Sequence, residues 1–428
     1  MLKNNTPLTV AIVGFGTVGR SVARILCDGG HPALKLSHVC NRRVAQKQVD
    51  WVPSDVVWTD DFERVLSSDV DVVVELIGGV DPATDWIRRA LQAGKAVVTA
   101  NKQVIAHHGA DLLAVAVSHD RQLGFEGAVA GGVPVIHGVR EGLAGDSLVR
   151  VMGILNGTCN YILTRMESDG VSFDSALQEA QELGFAEADP TADVDGFDAQ
   201  AKLAILSAVG LNRHINTSDI PLRTITTVEA IDFAYAGKLD CTIRQVSRAE
   251  VDPAHPDAIF ASVQPTLVPR SSSLARVEGS RNVVVVDGRF GGETAFSGFG
   301  AGGDPTGVAV VSDLEAIARA GLAGPTAARA SEPAEILTAF VGPHYIRFVV
   351  ADRPGIIASL ADVFSRHGVN IDSVFQEPGW SKDELPFVVT LESCESTVVE
   401  RALEESAAFD FNVRPPLWMP VLQTEDTR

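Results

Sequence analysis

Short apolar runs alternate with segments of helical spacing over the first third of the chain. Each run is continuous, as in strands that are buried on both faces of a parallel sheet. Residues 20–27 follow the first run with helical spacing. The predicted strands are residues 9–13, 34–40, 71–77, 96–99 and 122–126. This alternation is typical of an α/β domain with a parallel sheet.

From about residue 134 the pattern changes to strands and helices of mixed spacing. Residues 291–307 contain seven glycines and lead into a helical run at 308–319. We expect this helix to pack back onto the first domain, so that the middle domain is an insertion before the last helix. The middle strands are predicted at 149–155, 238–246 with 250–251, and 282–287, and the helices at 162–167, 175–183 and 199–211.

The last part of the chain follows a small, polar, proline-containing stretch at 321–332, which we interpret as a linker. A βαββα order is predicted, with strands at 345–350, 369–376 and 387–392, helices at 356–367 and 397–405, and a final apolar run at 416–422. This unit contains no catalytic constellation, so a regulatory or assembly role is expected for it.

These patterns divide the chain into four parts. Residues 1–135, completed by 303–322, are predicted to form a Rossmann-type dinucleotide-binding domain. An α+β substrate-binding and dimerisation domain is expected at 136–302, a linker at 323–340, and a regulatory domain at 341–428.

Composition excludes several classes of protein. The 428 residues carry a net charge of −20, which argues against nucleic-acid binding, because that needs clustered cations. No apolar run approaches the roughly 18 residues that a membrane span requires. The five cysteines are scattered, so neither a disulfide framework nor a zinc site is predicted. The N-terminus has no signal-peptide pattern, and we expect a cytoplasmic protein.

A glycine-rich loop follows the first predicted strand directly. In such loops the glycines permit a tight turn, close approach to a pyrophosphate and close helix packing. The loop and the strand end supply the predicted cofactor-binding residues Val13, Gly14, Phe15, Gly16, Thr17, Val18 and Gly19.

The ends of two further strands bear on the cofactor. Arg42 and Arg43, without a carboxylate, follow the second strand and favour a 2′-phosphate, hence NADP rather than NAD. A solvated basic loop is the alternative. Thr99, Asn101 and Lys102 lie at the carboxyl end of another strand, where the nicotinamide side is expected.

The stretch 184–202 is rich in acids and contains Lys202 as its only cation. Asp198 and Lys202 are four residues apart and share one face of a helix. An exposed ion pair is one interpretation. The helix is otherwise largely apolar, however, which makes Lys202 a candidate proton-transfer group. The acids are Glu187, Asp189, Asp193, Asp195 and Asp198, and the residue pattern gives Asp189, Asp193 and Asp195 no individual role.

Two other positions leave alternatives open. Glu126 precedes a glycine-rich turn at 127–134, whose carbonyls could hold a monovalent cation or form an ordinary turn. Cys159 lies at a predicted helix start, where a thiolate could act as an acyl-transfer nucleophile or pack in the core.

Several ordered motifs together resemble the homoserine dehydrogenase family. They are GFGTVG, ELIGG, VTANK, EGAVAGGVP, NGTCNYIL, GAGGDPT and the stretch from Ala180 to Lys202. The last part of the chain resembles an ACT domain, a ferredoxin-like fold, with Asp352-Arg353-Pro354-Gly355 before its first helix. No aspartate kinase portion precedes the first domain, so the chain is similar to the monofunctional form.

The resemblance implies reversible oxidation of L-homoserine to L-aspartate 4-semialdehyde with NADP, or with NAD, in threonine and methionine synthesis. It implies that Lys202, Lys102 and Asp198 are catalytic and that Glu187, Asp198, Gly184 and Asp193 bind substrate. Thr99, Lys102 and Gly303 would help to hold the dinucleotide. Glu126 with the carbonyls of Val129, Gly131 and Val133 would bind Na⁺. Threonine is the expected effector and a homodimer or homotetramer the expected assembly.

Two other functions remain open at this point. The first is an aldehyde dehydrogenase that uses Cys159 and needs phosphate or coenzyme A. The second is a non-enzymatic sensor, in which a nucleotide-binding module is joined to an ACT domain that binds an amino acid.

Overall fold

The computed structural model describes residues 6–252, 255–323 and 332–423. The chain forms two compact units. One combines the residues up to Val151 with 201–219 and 282–334, and the other combines 152–200, 220–281 and the residues from Glu335 onward.

Strands and helices alternate over the first third of the chain and mix less regularly afterwards. The strands are β1 (Leu8–Val13), β2 (Leu34–Cys40), β3 (Val57–Thr59), β4 (Val72–Glu75), β5 (Ala96–Thr99), β6 (Leu123–Gly124), β7 (Leu148–Ile154), β8 (Arg213–His214), β9 (Cys241–Asp252), β10 (His255–Pro269), β11 (Arg281–Gly288), β12 (Gly292–Phe299), β13 (Glu332–Pro333), β14 (Glu335–Leu337), β15 (Val341–Val350), β16 (Ile371–Gln376), β17 (Leu385–Glu395) and β18 (Asn412–Pro420). The helices are α1 (Thr17–Cys27), α2 (Val44–Lys47), α3 (Phe62–Leu66), α4 (Ala83–Gln92), α5 (Lys102–Ser118), α6 (Val135–His137), α7 (Gly157–Asp169), α8 (Phe173–Glu182), α9 (Thr191–Val194), α10 (Phe197–Gly210), α11 (Ala230–Lys238), α12 (Gly303–Ala320), α13 (Ile356–Arg366) and α14 (Ser396–Ala407).

The first unit contains a parallel sheet with the strand order β3-β2-β1-β4-β5-β6. This is the order of a Rossmann fold, in which ligands bind beyond the carboxyl ends of the strands. Its core consists of strand residues such as Ile12 and Val74, packed with Val22 of α1 and with Val310 and Leu314 of α12. The expected return of the last helix to this domain is therefore present in the fold, and the predicted α/β class is confirmed.

The second unit is built partly on a long antiparallel pair. β9 and β10 run side by side from Val251 opposite Ile259 to Cys241 opposite Pro269. They belong to a sheet with the order β12-β11-β7-β9-β10-β14. β14, which falls inside the predicted linker, pairs in parallel with β10, while residues 324–331 of that linker lie outside the described residues.

The C-terminal domain has the predicted βαββα order and an antiparallel sheet, β16-β17-β15-β18. One set of its apolar side chains, including Phe348 and Phe387, packs against α13 and α14. A second set, Tyr345, Val388 and Met419, joins the cluster formed by α7, α8 and α11. The sheet is therefore buried on both faces.

The two longest strands that were not predicted are β10 and β12. β10 lies in a proline- and serine-rich stretch, and β12 lies in the glycine-rich segment before α12. No helix within the described residues is long and apolar enough to cross a membrane.

Candidate active site

The turn from β1 into the first residues of α1 has no room for side chains at two of its glycines. Gly14 has a φ of +104°, and a Cβ there would lie 2.5 Å from the carbonyl oxygen of Leu76. A Cβ on Gly19 would lie 2.0 Å from the carbonyl oxygen of Gly14. Gly16 caps α1 without a side-chain hydrogen bond. The first N–H groups of the helix are therefore not taken up by a capping side chain, as a pyrophosphate site requires.

A hydrogen bond links the residue that follows β2 to this loop. The backbone N–H of Phe15 donates to Asn41 Oδ1 at 3.1 Å. Arg42 and Arg43 follow directly and are both exposed. Two exposed arginines therefore come directly after the residue that is hydrogen-bonded to the glycine loop.

Gly303, at the start of α12, packs closely against α1. A Cβ at this position would lie 2.9 Å from both Ser21 Oγ and Thr17 Cγ2. The neighbouring Asp304 accepts a hydrogen bond from Ser21 at 2.7 Å and pairs with Arg24. Gly303 is thus brought to the glycine loop although it lies far from it in sequence.

A hydrogen-bonded group lies at the carboxyl ends of β4 and β5. Thr99 Oγ1 donates to Glu75 Oε2 at 2.6 Å and accepts the N–H of Asn101 at 3.0 Å. The Asn101 side chain caps α5 and donates to the carbonyl of Gly79. Lys102 is the first residue of α5 and is partly buried.

Glu75 was not identified from the sequence. Its side chain is buried, and burial raises the pKa of its carboxyl group, although hydrogen bonds from Thr99 and Ile77 act in the opposite direction. The ELIGG motif contains this residue, but its apolar surroundings predict only a strand. Its partner Thr99 lies 24 residues further along the chain.

In the second unit, two acids of the predicted substrate loop meet at one amide. Asn156 Nδ2 donates to Asp193 Oδ1 at 2.7 Å and to Asp198 Oδ2 at 2.9 Å. Asp198 is buried and Asp193 partly buried. Asn156 was not identified from the sequence, although its NGT motif belongs to the family resemblance.

Cys159 lies in the first turn of α7, three residues after Asn156, and belongs to the same hydrogen-bond network. Its thiol is buried and donates to the carbonyl of Asp193 at 3.1 Å. Its neighbours in the apolar cluster include Ile162 and Val194. This environment fits the core-thiol interpretation rather than an exposed nucleophile.

The other residues of the loop are more exposed. Gly184, with a φ of +76°, and Glu187 lie on the surface of the unit. Asp189 accepts the N–H and the hydroxyl of Thr191 at 3.1 and 2.6 Å, and these bonds lower the pKa of its carboxyl group. The hydrogen bonds give Asp189 a structural role at the start of α9.

α10 carries both Asp198 and Lys202 among residues such as Leu203 and Leu206, and all four side chains are buried. The exposed-ion-pair interpretation therefore does not hold for Lys202.

Glu126, the proposed cation ligand, is buried at the start of a short 3₁₀ turn. Its carboxylate oxygens accept the N–H groups of Ile136 at 2.9 Å and His137 at 2.7 Å. Burial, and secondarily Asp313, raises the pKa of this carboxyl group. His137 donates to Asp313 at 2.8 Å, and this bond raises the imidazole pKa to about 9.

The backbone next to Glu126 is buried and irregular. Val129, Gly131 and Val133 are buried, and Gly131 has a φ of +43°. A buried carboxylate beside backbone carbonyls is the donor set that hard cations take, and a cation would offset the cost of burying the charge. The residues therefore fit a monovalent cation. No group of three His, Cys, Asp or Glu side chains suited to a metal occurs in the described part of the chain.

A Rossmann fold with a glycine loop, together with a buried lysine on a helix that follows an acid-rich loop, defines an NAD(P)-dependent oxidoreductase. Comparison with known sequences supports this class. Profiles of the homoserine dehydrogenase NAD-binding domain, of homoserine dehydrogenase and of the ACT domain match residues 14–126, 134–314 and 344–406.

Two homoserine dehydrogenases are similar to this chain over most of their length. Homoserine dehydrogenase from Mycobacterium tuberculosis (strain H37Rv) is 41% identical over 391 residues, covering 88% of this chain and 88% of that protein. The enzyme from Bacillus subtilis (strain 168) is 36% identical over 405 residues, covering 89% and 90%.

Solved structures of homoserine dehydrogenases also match this chain. A crystal structure of a homoserine dehydrogenase from Thiobacillus denitrificans matches with a TM-score of 0.88 and 30% identity over 98% of this chain and 99% of that chain. A hyperthermophilic archaeal homoserine dehydrogenase in complex with NADPH matches with a TM-score of 0.60 and 27% identity, over 72% of this chain and 97% of that chain. The chain belongs to the homoserine dehydrogenase family, which are NAD(P)-dependent oxidoreductases that act on a CH–OH group.

Proposed function

We propose that the chain oxidises L-homoserine reversibly to L-aspartate 4-semialdehyde with Lys202 as the group that moves the hydroxyl proton. The observation that carries this proposal is the burial of Lys202 on α10, one turn after the buried Asp198. A bound nicotinamide cofactor would supply the hydride-transfer chemistry at the carbinol carbon. Lys202 takes the proton of the hydroxyl in oxidation and returns it in reduction. Lys102 is proposed as the second catalytic lysine, on the cofactor and substrate side.

The acid-rich loop is proposed to bind the ammonium group of the substrate. Asp198 and Asp193 share the amide of Asn156, which is the strongest support for a common role. Glu187 and Gly184 complete the proposed substrate-binding set. Desolvating an ammonium among carboxylates orients the substrate, and orientation accounts for a large part of enzymatic rate enhancement.

NADP is proposed as the preferred cofactor. Arg42 and Arg43 would hold the 2′-phosphate, and the glycine loop from Val13 to Gly19 would hold the pyrophosphate. Thr99, Lys102 and Gly303 would contact the rest of the dinucleotide. The bound NADPH in the archaeal relative supports this choice. We assign 1–135 with 303–322 to cofactor binding and 136–302 to substrate binding and dimerisation.

Na⁺ is proposed to bind Glu126 and the carbonyl oxygens of Val129, Gly131 and Val133. The ion would compensate the buried carboxylate and stabilise the turn that leads from the parallel sheet into α6.

The C-terminal domain, residues 341–428, is proposed to bind threonine as a feedback effector. A cavity of about 250 Å³ lies at its Asp352-Arg353 turn, with Gln376 and Phe387 also in its wall. A cationic and an anionic side chain in one small cavity suit the two charges of a free amino acid. β16 lies at the edge of the sheet, which supports pairing between copies in a homodimer or homotetramer.

One segment, residues 222–225, contacts both this domain and the substrate loop. The guanidinium of Arg223 lies 3.9 Å from the ring centroid of Trp418 and 3.2 Å from the carboxylate of Glu400. Two residues later, the N–H of Ile225 donates to the carbonyl of Val194 at 3.1 Å. Val194 follows Asp193, so a change in the ACT domain has a short physical route to a substrate carboxylate.

A steady-state assay tests these proposals together. We expect NADPH oxidation with L-aspartate 4-semialdehyde, homoserine oxidation in reverse, weaker activity with NADH, and inhibition by threonine. A requirement for phosphate or coenzyme A would instead indicate the aldehyde dehydrogenase function. Threonine binding without turnover would indicate the sensor.

A further inference from the structure

The side chain of Asn156 uses all of its polar groups on the protein. Its nitrogen donates to Asp193 and Asp198, and its oxygen accepts the N–H of Cys159 at 2.8 Å, which caps α7. Only 4% of the residue is exposed. Water therefore has little access to this amide, and its partners determine its position.

These partners also determine which way the amide faces. If its oxygen and nitrogen were exchanged, the oxygen would face two carboxylates and the nitrogen would face the N–H of Cys159. Ionised carboxylates only accept hydrogen bonds and an N–H only donates, so that orientation is excluded. A primary amide carries both hydrogens on one nitrogen in a fixed plane. The amide of Asn156 therefore donates to both carboxylates in a single orientation.

The two carboxylates come from different elements. Asp193 lies in α9 and Asp198 at the start of α10, 37 and 42 residues from Asn156. The thiol of Cys159 adds a second attachment by donating to the Asp193 carbonyl at 3.1 Å. Carboxylates held this close to one nitrogen repel each other unless a donor or a cation lies between them.

We propose that Asn156 is a positioning residue that holds Asp193 and Asp198 at the spacing that receives the substrate's ammonium group. This role rests on the proposed function of the acid-rich loop. The amide supplies a donor to both carboxylates before substrate binds, and the ammonium supplies a cation to them afterwards. Asn156 acts only through the two carboxylates and makes no contact with the reacting carbon.

The alternative is that Asn156 is only a helix cap, and Asn156→Ser separates the two roles. Serine is as good an N-cap as asparagine, but its single hydroxyl cannot donate to both acids. The readout is kcat/KM for homoserine divided by kcat/KM for 4-hydroxybutyrate, which lacks the amino group. This ratio does not depend on the fraction of folded enzyme. We expect it to fall roughly 10- to 100-fold, the loss expected for hydrogen bonds to charged groups.

Ser172→Ala is the matched control, because Ser172 caps the neighbouring helix α8 by accepting the N–H of Ser175. This variant should leave the ratio unchanged. An unchanged ratio in Asn156→Ser would overturn the positioning role. If the wild-type enzyme turned over both compounds equally, the proposed ammonium site itself would be wrong, and the positioning role with it.

Discussion

Asp198 and Lys202 lie four residues apart on α10 with exposures of only 7% and 8%. Residues at this spacing lie on one face of a helix. The apolar side chains of α10 anchor it in the protein, so both charged groups have little freedom to move. One helix thus carries a group proposed to orient the substrate and the group proposed to move its proton.

Replacing Lys202 tests the proton-transfer role. Lys202→Met keeps the apolar part of the side chain and removes the amine. We expect kcat to fall by about 10²–10⁴-fold, the usual contribution of a general base, while the Kd for NADPH changes little. Steady-state kinetics and a fluorescence titration of NADPH measure the two quantities.

Lys95 provides the control, because it is also a buried lysine but donates to the carbonyls of Ser68 and Val70 at 2.7 and 3.0 Å. Lys95→Met should lower the melting temperature and leave kcat of the folded enzyme nearly unchanged. Near-normal turnover in Lys202→Met would remove Lys202 from the mechanism.

Arg42 and Arg43 are expected to select the cofactor. The double variant Arg42→Ala/Arg43→Ala loses both guanidinium groups beside the proposed 2′-phosphate. We expect the ratio of kcat/KM with NADPH to that with NADH to fall by about 10- to 100-fold, since hydrogen bonds to charged groups contribute about 1.5–3 kcal/mol. The NADH value itself should stay nearly constant. Arg276→Ala, a change at another exposed arginine, should alter neither value, and an unchanged ratio in the double variant would contradict the assignment.

The sequence predicted the cofactor domain well because its information is local. A glycine loop must follow a strand and begin a helix, and Gly14 and Gly19 meet backbone atoms that exclude any side chain. The apolar runs at β2 and β5 were predicted with their observed bounds. Local patterns failed at β10 and β12, where proline and glycine usually indicate loops. Each of them pairs with the strand that precedes it in the chain, β9 or β11, and this pairing outweighs the low strand propensity of the segment.

The missed site residues have partners that are distant in the chain. Asn156 has the ordinary sequence context of a helix cap, and only the folded chain brings Asp193 and Asp198 to its amide. Glu75 ends a strand of valines, and only the neighbouring β5 supplies its partner Thr99. Long-range contacts of single polar groups leave no periodic pattern in the amino-acid sequence. The resemblance to a family identified the acids but not the amide between two of them.

Sodium is expected to stabilise the protein through Glu126. Replacing Na⁺ by a bulky organic cation should lower the melting temperature by a few degrees, since a ligand at about 100 times its Kd contributes about 2.7 kcal/mol. Glu126→Gln should abolish this dependence because the amide does not compensate the ion's charge. Glu75→Gln is the control, as both glutamates are buried to the same 1% exposure. Retained sodium dependence in Glu126→Gln would contradict the proposed site.

His344 should make the ACT domain sensitive to acid. Burial lowers the pKa of its imidazole from 6.5 to about 4, and its ring nitrogens are engaged by Trp418 and by the carbonyl of Cys394. The unfolded state therefore binds a proton at a higher pH than the folded state. The neutral imidazole of His344 contributes fully to the stability of the folded state above pH 6.5. This contribution is lost as the pH falls towards 4. The expected loss is about 3 kcal/mol, at 1.36 kcal/mol per pKa unit.

Denaturant unfolding between pH 7 and 4 measures this effect. His344→Gln should show a shallower fall in the free energy of unfolding than the wild type, although it starts from a lower value. His119→Gln, at an exposed histidine, should keep the wild-type slope. Parallel slopes for wild type and His344→Gln would show that acid destabilisation has another origin.

The contact of Arg223 with the ACT domain is expected to transmit threonine binding to the substrate loop. Arg223→Met removes the ion pair with Glu400 and the cation–π contact with Trp418, while the backbone bonds of residues 222–225 remain. We expect the threonine concentration for half-inhibition to rise at least about fivefold, the lower end of typical coupling between sites. Without threonine, kcat and KM should stay close to the wild-type values, because Arg223 is not among the residues proposed to bind substrate or cofactor. Glu400→Gln should give a similar change, and the double variant should show less than the sum of the two, because both remove one interaction. Arg366→Met removes ion pairs with Asp362 of α13 and with Glu405 of α14, both inside the C-terminal domain, and should leave inhibition intact. The threonine concentration for half-inhibition could instead be the same in Arg223→Met and the wild type. The contact would then carry none of the coupling, and threonine binding would affect the active site by another route.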